Sequence, residues 1–354
     1  MLSFARRLLT LPFDGVEARF AAPPLFCGIR SCVLGKAELG ADAWIGGSVC
    51  IRADGHFIRI GDRFWIGDRS TVHIAHDLHP AIVGNRVTVG RNSVVHACTV
   101  GEDCVIEDDV VILDASVVGE GVLIEAGSLV LGASELSAGS VYAGAPATRV
   151  RSLDRSELDE RRARVQRLGS HLAWSSSSQA SVPDTTFAAL TAELSGQIEI
   201  GAGASVFFGC DLSAGGGRIV IGENTNIQDN TVISCSGGDA VIGRDTTLGH
   251  NVRVGTCRIG HRALIGIGAV LADATVVEED VLVGAGATTS PGQTLESGWF
   301  WAGRPARAIA PLDERKRLMM ARTIEQYCGY ARSFRVLQLR AGANGRALQS
   351  SLSD

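Results

Sequence analysis

Residues 100–130 read VGEDCVIEDDVVILDASVVGEGVLIEAGSLV. Val100, Ile106, Ile112, Val118, Ile124 and Val130 fall six apart, and Ile259, Ile265, Leu271, Val277 and Val283 repeat that spacing further along. A period of six matches neither the 3.6 of an α-helix nor the simple alternation of a half-buried strand. It suits a parallel β-helix of hexapeptides. Each face contributes one inward aliphatic residue before the chain turns a corner, and three faces make a coil of about 18 residues. Small residues follow the aliphatics where a corner needs unusual dihedral angles, as in Val83-Gly84, Val89-Gly90, Ile221-Gly222 and Ile242-Gly243.

A longer period lies over the short one. TVGRNSVVHAC at 88–98 returns as TLGHNVRVGTC at 247–257. Gly84 matches Gly243, Cys98 matches Cys257, Asp114 matches Asp273 and Pro146 matches Pro305, each pair 159 apart (243 − 84, 257 − 98, 273 − 114, 305 − 146). The chain is therefore read as a tandem duplication. The expected organisation is an N-terminal extension at 1–24, a first β-helix at 25–150 and a helix at 151–172. A polar linker at 173–195, containing WSSSSQASVPD, leads to a second β-helix at 196–310, a C-terminal helix at 311–335 and a loose tail at 336–354.

Composition narrows the function classes. The 354 residues suffice for two domains, and a net charge of −5 offers no basic field for nucleic acid or anionic lipid. Nine Cys with no C-x-x-C pair read as reduced, mostly buried thiols in a cytosol-like compartment. The opening MLSFARRLLTLPF is too short to span a membrane. It is read as an extension packing on the body of a cytoplasmic protein, with a basic organelle-targeting helix as the alternative.

Several motifs carry a family likeness. The first half has IRAD, WIGDRSTVHIAH, PAIVGNRVTVGRNSVVHAC and AGAPATRVRSL. The second has NIQDNTVIS, IGRDTTLGHNVRVGTC, LIGIGAVLADATVV, AGRPARAI and a closing helix with Tyr327. In this order they resemble the γ-class carbonic anhydrase-like family of left-handed β-helix proteins. The resemblance implies an all-β fold of two tandem left-handed parallel β-helices, each followed by an α-helix. It also implies a catalytic metal held by three histidines between neighbouring β-helices, two from one and one from the next, in a trimer. The first half matches at His73 and His96 but has Arg91 for the third ligand. The second matches at His250 but has Ser234 and Gly255 for the others. The family's arginine and first aspartate map to Arg52 and Asp54, and to Gly209 and Asp211 in the second half. Its glutamine and second aspartate map to Gly67 and Asp68, and to Gln228 and Asp229.

Counting coils tests this division. Ile60, Ile66 and Val72 take three successive faces, a bulge holds His76 and His79, and Val83, Val89 and Val95 take the next three. His73 and His96 then share one corner, one coil apart, at roughly 4.8 Å. Position 91, and with it His250, lies near a different corner and completes a site only on a neighbouring β-helix. The expectation is one site per chain from His73, His96 and His250, holding zinc, with iron or cobalt also compatible with imidazole. The implied chemistry is reversible hydration of CO2 to bicarbonate by a metal-bound hydroxide. Gln228 is read as a hydrogen-bond partner of hydroxide or substrate, or else as a ladder residue at the coil edge. Arg52, Asp54 and Asp68 are read as a salt-bridge network orienting the interface, and His76 as a proton shuttle or an exposed bulge residue. Two other functions stay open: a hexapeptide acyltransferase or thioesterase acting on acyl-CoA, and an inactive assembly protein. The expected assembly is a homo-oligomer, or a trimer-like one with a third β-helix from another chain.

Overall fold

The structure, a computed structural model, describes residues 8–172, 184–235 and 237–350, the side chains of 342–350 excepted. The six-residue spacing becomes two left-handed parallel β-helices. All the aliphatics of the two runs point into the coils, Val100 to Val130 at no more than 1% exposure and Ile259 to Val283 at no more than 3%. Parallel pairing holds them in stacks, with Val89 beside Ile106 and Ile106 beside Ile124. The corners carry the same period. Asp103, Asp109, Ala115, Gly121, Gly127 and Ala133 all have positive φ, between 57° and 71°. A left-handed residue at every sixth position turns the chain from one face to the next.

The N-terminal extension joins the first β-helix as a strand. Leu8–Leu11 pairs in parallel with Ser31 to Leu34. Residues 1–7, which include most of the basic opening, lie outside the described residues, as does 173–183 of the linker. The second β-helix starts earlier than its expected boundary at 196. Phe187–Ala188 pairs with Ser205 and Val206, and Glu193–Ile200 pairs with the strand that begins at Asp211. Leu194, Ile200, Val206 and Leu212 fall six apart and are buried, so the period already reaches back past the expected boundary.

Helix α1 spans Arg155–Arg167, inside the expected 151–172, because Ala147–Ser152 is still a strand. Asp154 caps it by accepting from the Ser156 amide. Its Leu158 and Val165 cover Trp65, Val105, Leu123 and Val141 on one face of the first β-helix. Helix α2 spans Glu314–Ser350, so the expected tail from 336 continues the helix. Gln338 of this stretch donates to the Ala188 carbonyl and accepts from the Leu190 amide.

The two halves pack face to corner. Val94, Val111 and Leu129 of the first meet Ile267 and Ala285 of the second. A Cβ on Gly268 would lie 2.5 Å from Val111 Cγ2, so close approach and its φ of 67° both call for glycine. Polar pairs run alongside: Thr71 Oγ1 to Asn251 Oδ1 at 2.7 Å, Arg69 to Asp211 at 2.6 Å and Arg253 to Asp109 at 2.8 Å. Helix α2 seals the seam, where Tyr327, Tyr330 and Phe334 pack with Phe13 and Leu34 of the first half and Phe207 and Phe208 of the second.

Candidate metal centre

The coil register brings the first part of the site together. Arg52 pairs with His73, and His73 with His96, on three successive coils. The His73 and His96 ring centroids are 5.1 Å apart, close to the strand spacing. His250 arrives from the corner of the second half, with its centroid 4.6 Å from His73 and 5.5 Å from His96. One ring nitrogen from each of the three lies within 4.8 Å of the others. The rings are buried, at 3%, 8% and 1% exposure for His73, His96 and His250.

Each imidazole has a carboxylate behind it. His73 Nε2 is 3.0 Å from Asp54 Oδ1, His96 Nδ1 is 2.5 Å from Asp114 Oδ1, and His250 Nδ1 is 3.2 Å from Asp229 Oδ2. That leaves His73 Nδ1, His96 Nε2 and His250 Nε2 for one another and for a ligand. His73 Nδ1 meets His96 Nε2 at 3.1 Å, and His250 Nε2 meets the Tyr327 hydroxyl at 3.2 Å. Burial, reinforced by the Arg52 charge and the other two imidazoles, holds His73 well below the usual imidazole range. Burial also pulls His250 down to about 4, against the opposing pull of Asp229. Both rings stay neutral at physiological pH with lone pairs available. Imidazoles with a carboxylate beside the second nitrogen, hydrogen-bonded at His73 and His96 and 3.2 Å away at His250, are the donor set of a divalent transition-metal site. The residues fit such an ion.

Arg52 ties the two halves at this point. Fully buried, it pairs with Asp54 of its own half, donates from Nε to Asp229 Oδ2 of the other half at 2.9 Å, and from Nη2 to the Tyr327 hydroxyl at 3.3 Å. Its guanidinium also lies 5.2 Å from the Phe207 ring centroid and 5.6 Å from that of Tyr327. Burial alone would raise the Asp229 carboxyl, but Arg52 and His250 outweigh it and hold the group at about 2. Burial dominates at Asp54 and lifts it to about 6.

One expectation changes. Asp68 does not join Arg52. It accepts from the Gly47 and His171 amides at the corner duplicated as Asp229, and only the second-half copy of that corner faces Arg52. Gln228 donates from its amide to Asn226 Oδ1 at 3.1 Å, and Asn226 in turn donates to Thr247, which is the ladder arrangement. His76 is exposed and bonds the Tyr330 hydroxyl at 2.5 Å, outside the cluster. The mapping of Arg52 and Asp54 onto Gly209 and Asp211 is also corrected. Ser213 pairs with Ser234 as Arg52 pairs with His73, so Arg52 corresponds to Ser213 and Cys50 to Asp211. A difference in loop length between the two copies shifts any count made by sequence alone. Arg91 lies away from the histidines, with its amide on Asp108 Oδ1. Sequence reasoning passed over Asp114 and Tyr330. Asp114 lies 18 residues beyond His96, one coil on, and counting would have found it.

No protein-family model matches the chain. Over 175 residues it is 29% identical to γ-carbonic anhydrase 2, mitochondrial, of Arabidopsis thaliana, covering 48% of this chain and 61% of that protein. Over 159 residues it is 30% identical to γ-carbonic anhydrase 1, mitochondrial, of the same plant, covering 43% and 58%. The chain thus spans about three fifths of the length of these curated relatives. Protein YrdA of Escherichia coli (strain K12) is 37% identical over 133 residues, 36% of this chain and 72% of that protein. Among solved structures, a putative acetyltransferase from Desulfovibrio desulfuricans covers 83% of this chain and 69% of its own with a TM-score of 0.52. At 15% identity it shows the fold alone. Fold and relatives define a hexapeptide-repeat β-helix protein. Within that class, the chain belongs to the γ-class carbonic anhydrase-like family.

Proposed function

We propose that the chain is a metal-dependent lyase of the γ-carbonic anhydrase type, hydrating CO2 reversibly at one site shared by its two halves. The observation that carries this is the convergence of His73 and His96 from one half with His250 from the other, each backed by its own carboxylate. His73, His96 and His250 would hold zinc, with iron or cobalt also suited to three imidazoles. A bound ion would supply a Lewis acid that brings the pKa of water toward neutrality. The chain's own residues prepare that chemistry. Asp54, Asp114 and Asp229 keep the rings oriented, and Arg52 locks the half that carries His250 onto the half that carries His73. Burial pushes the Tyr327 hydroxyl well up, so it stays a neutral hydrogen-bond donor beside His250. His76, exposed and bonded to the Tyr330 hydroxyl, would pass protons to solvent in this reading.

The near-complete burial of the three rings favours a small linear substrate over an acyl thioester. A stopped-flow CO2-hydration assay, run beside acetyl-CoA hydrolysis and transfer assays, tests the reading. CO2 hydration that disappears on chelation and returns with zinc is expected. Acyl transfer or thioesterase turnover without CO2 hydration would replace this reading with the alternative, and absence of metal and of all three activities would favour an assembly role.

A partner belongs to the same reading. On the face of the second half that corresponds to the buried seam of the first, Ser234 is exposed and Val232 and Val270 are half-buried, while Arg253 beside them reaches Asp109 of the first half. A head-to-tail interface repeats until a ring closes. A third β-helix from another chain would occupy that face, bringing no three-histidine site because Ser234 and Gly255 stand there in place of the two histidines. The Arabidopsis relatives are named as mitochondrial, and with the basic opening residues this supports an organelle location, which fractionation tests. Among the described residues no helix is long and apolar enough to cross a membrane.

A further inference from the structure

We infer that Asp114 is a positioning residue for His96, accepting from Nδ1–H so that Nε2 is presented to His73 and His250; this rests on the three-histidine reading above. The contact is short, 2.5 Å from His96 Nδ1 to Asp114 Oδ1, and the opposite ring nitrogen meets His73 Nδ1 at 3.1 Å. With the Nδ1 proton on Asp114, Nε2 is bare and faces His73 Nδ1, which keeps its lone pair free for an ion shared between the rings.

The duplicated copy shows what this carboxylate does without a histidine. Asp273 matches Asp114, and Gly255 stands where His96 does. There the carboxylate turns onto its own corner, with Asp273 Oδ1 accepting from the Thr256 amide at 2.8 Å and the Thr256 hydroxyl at 3.0 Å. A Cβ on Gly255 would lie 2.2 Å from Asp273 Oδ1, so the capping arrangement and a side chain at that position exclude each other. In the first half the histidine occupies that space and the carboxylate has swung to its ring. The corner folds either way, so the imidazole contact serves His96 rather than the coil. Asp54 and Asp229 are fully buried, whereas the Asp114 side chain is 47% exposed. His96 is thus the one ring of the three whose anchor can be altered without leaving a buried charge unpaired.

Histidine ring 15N spectra of the metal-free full-length protein, followed by zinc titration, test the inference. Wild type should show His96 protonated at Nδ1 and bare at Nε2. Asp114→Ala should lose that single tautomer and weaken zinc binding about 10- to 100-fold with an unchanged thermal melt. Asp114→Asn, whose amide oxygen still accepts, should keep the tautomer and lose less affinity. Asp273→Ala should change neither reading. A His96 tautomer that is the same in Asp114→Ala as in wild type, or zinc affinity within twofold of wild type in that variant, would overturn the role. A wild type that binds no zinc yet shows the Asp114-dependent tautomer would uphold the positioning and refute the metal reading.

Discussion

Arg52 concentrates the electrostatics of the site. It is fully buried between Asp54 and Asp229, one carboxylate from each half. Arg52→Met would strand two buried carboxylates, and removing one partner of a buried pair costs about 3–5 kcal/mol. Chemical denaturation should show a loss of that order, with Arg52→Lys recovering little because an ammonium cannot fork between two carboxylates. The thiols make a second prediction. Eight of the nine Cys are buried, and burial pushes Cys27, Cys104 and Cys257 up to about 12. Iodoacetamide at pH 8 should label the native protein at Cys328 alone, read by peptide mass spectrometry. The three histidines were legible in the sequence because a strict coil count assigns each to a corner. Asp68 and Asp229 were not separable, since duplication supplies two copies of one corner and no local signal says which copy meets Arg52. Gln228 was weighed between substrate and ladder, and only its contact with Asn226 distinguishes them.

At the scale of the element, stability comes from stacked aliphatics inside coils whose corners are held by left-handed residues. Ile112→Ala removes a fully buried side chain from one rung and should cost about 2–5 kcal/mol in equilibrium unfolding. Gly268→Val acts elsewhere. It sets a β-branched residue at positive φ and drives it into Val111, so it should loosen the contact between halves as well as the coil. Far-UV dichroism unchanged at low temperature with a lowered melt would be its signature. The six-residue period made the coils readable from Ile60 onward. The ends of elements were less so. Gly342, Asn344 and Gly345 read as helix breakers, yet α2 continues to Ser350, because propensity is a weak prior. The strand Phe187–Ala188 was missed because the residue that stacks on Val206 is Ala188, too small to mark the aliphatic repeat.

At the scale of the whole molecule, duplication has let the two halves divide one site. The first keeps the two-histidine corner and the second keeps His250. Ser234, Gly255 and Arg91 stand at the corresponding positions of the opposite copies. Occupancy of the site should therefore stabilise the junction, and one ion at a hundred times its dissociation constant adds about 2.7 kcal/mol to the folded state. Chelation should lower the melting temperature, and zinc should restore it. The most direct measurement is the metal content of the purified full-length chain, wild type beside His73→Ala and His250→Ala. One ion per chain in wild type, lost in both variants, is the predicted result; full metal retained in His250→Ala would contradict a site shared between the halves.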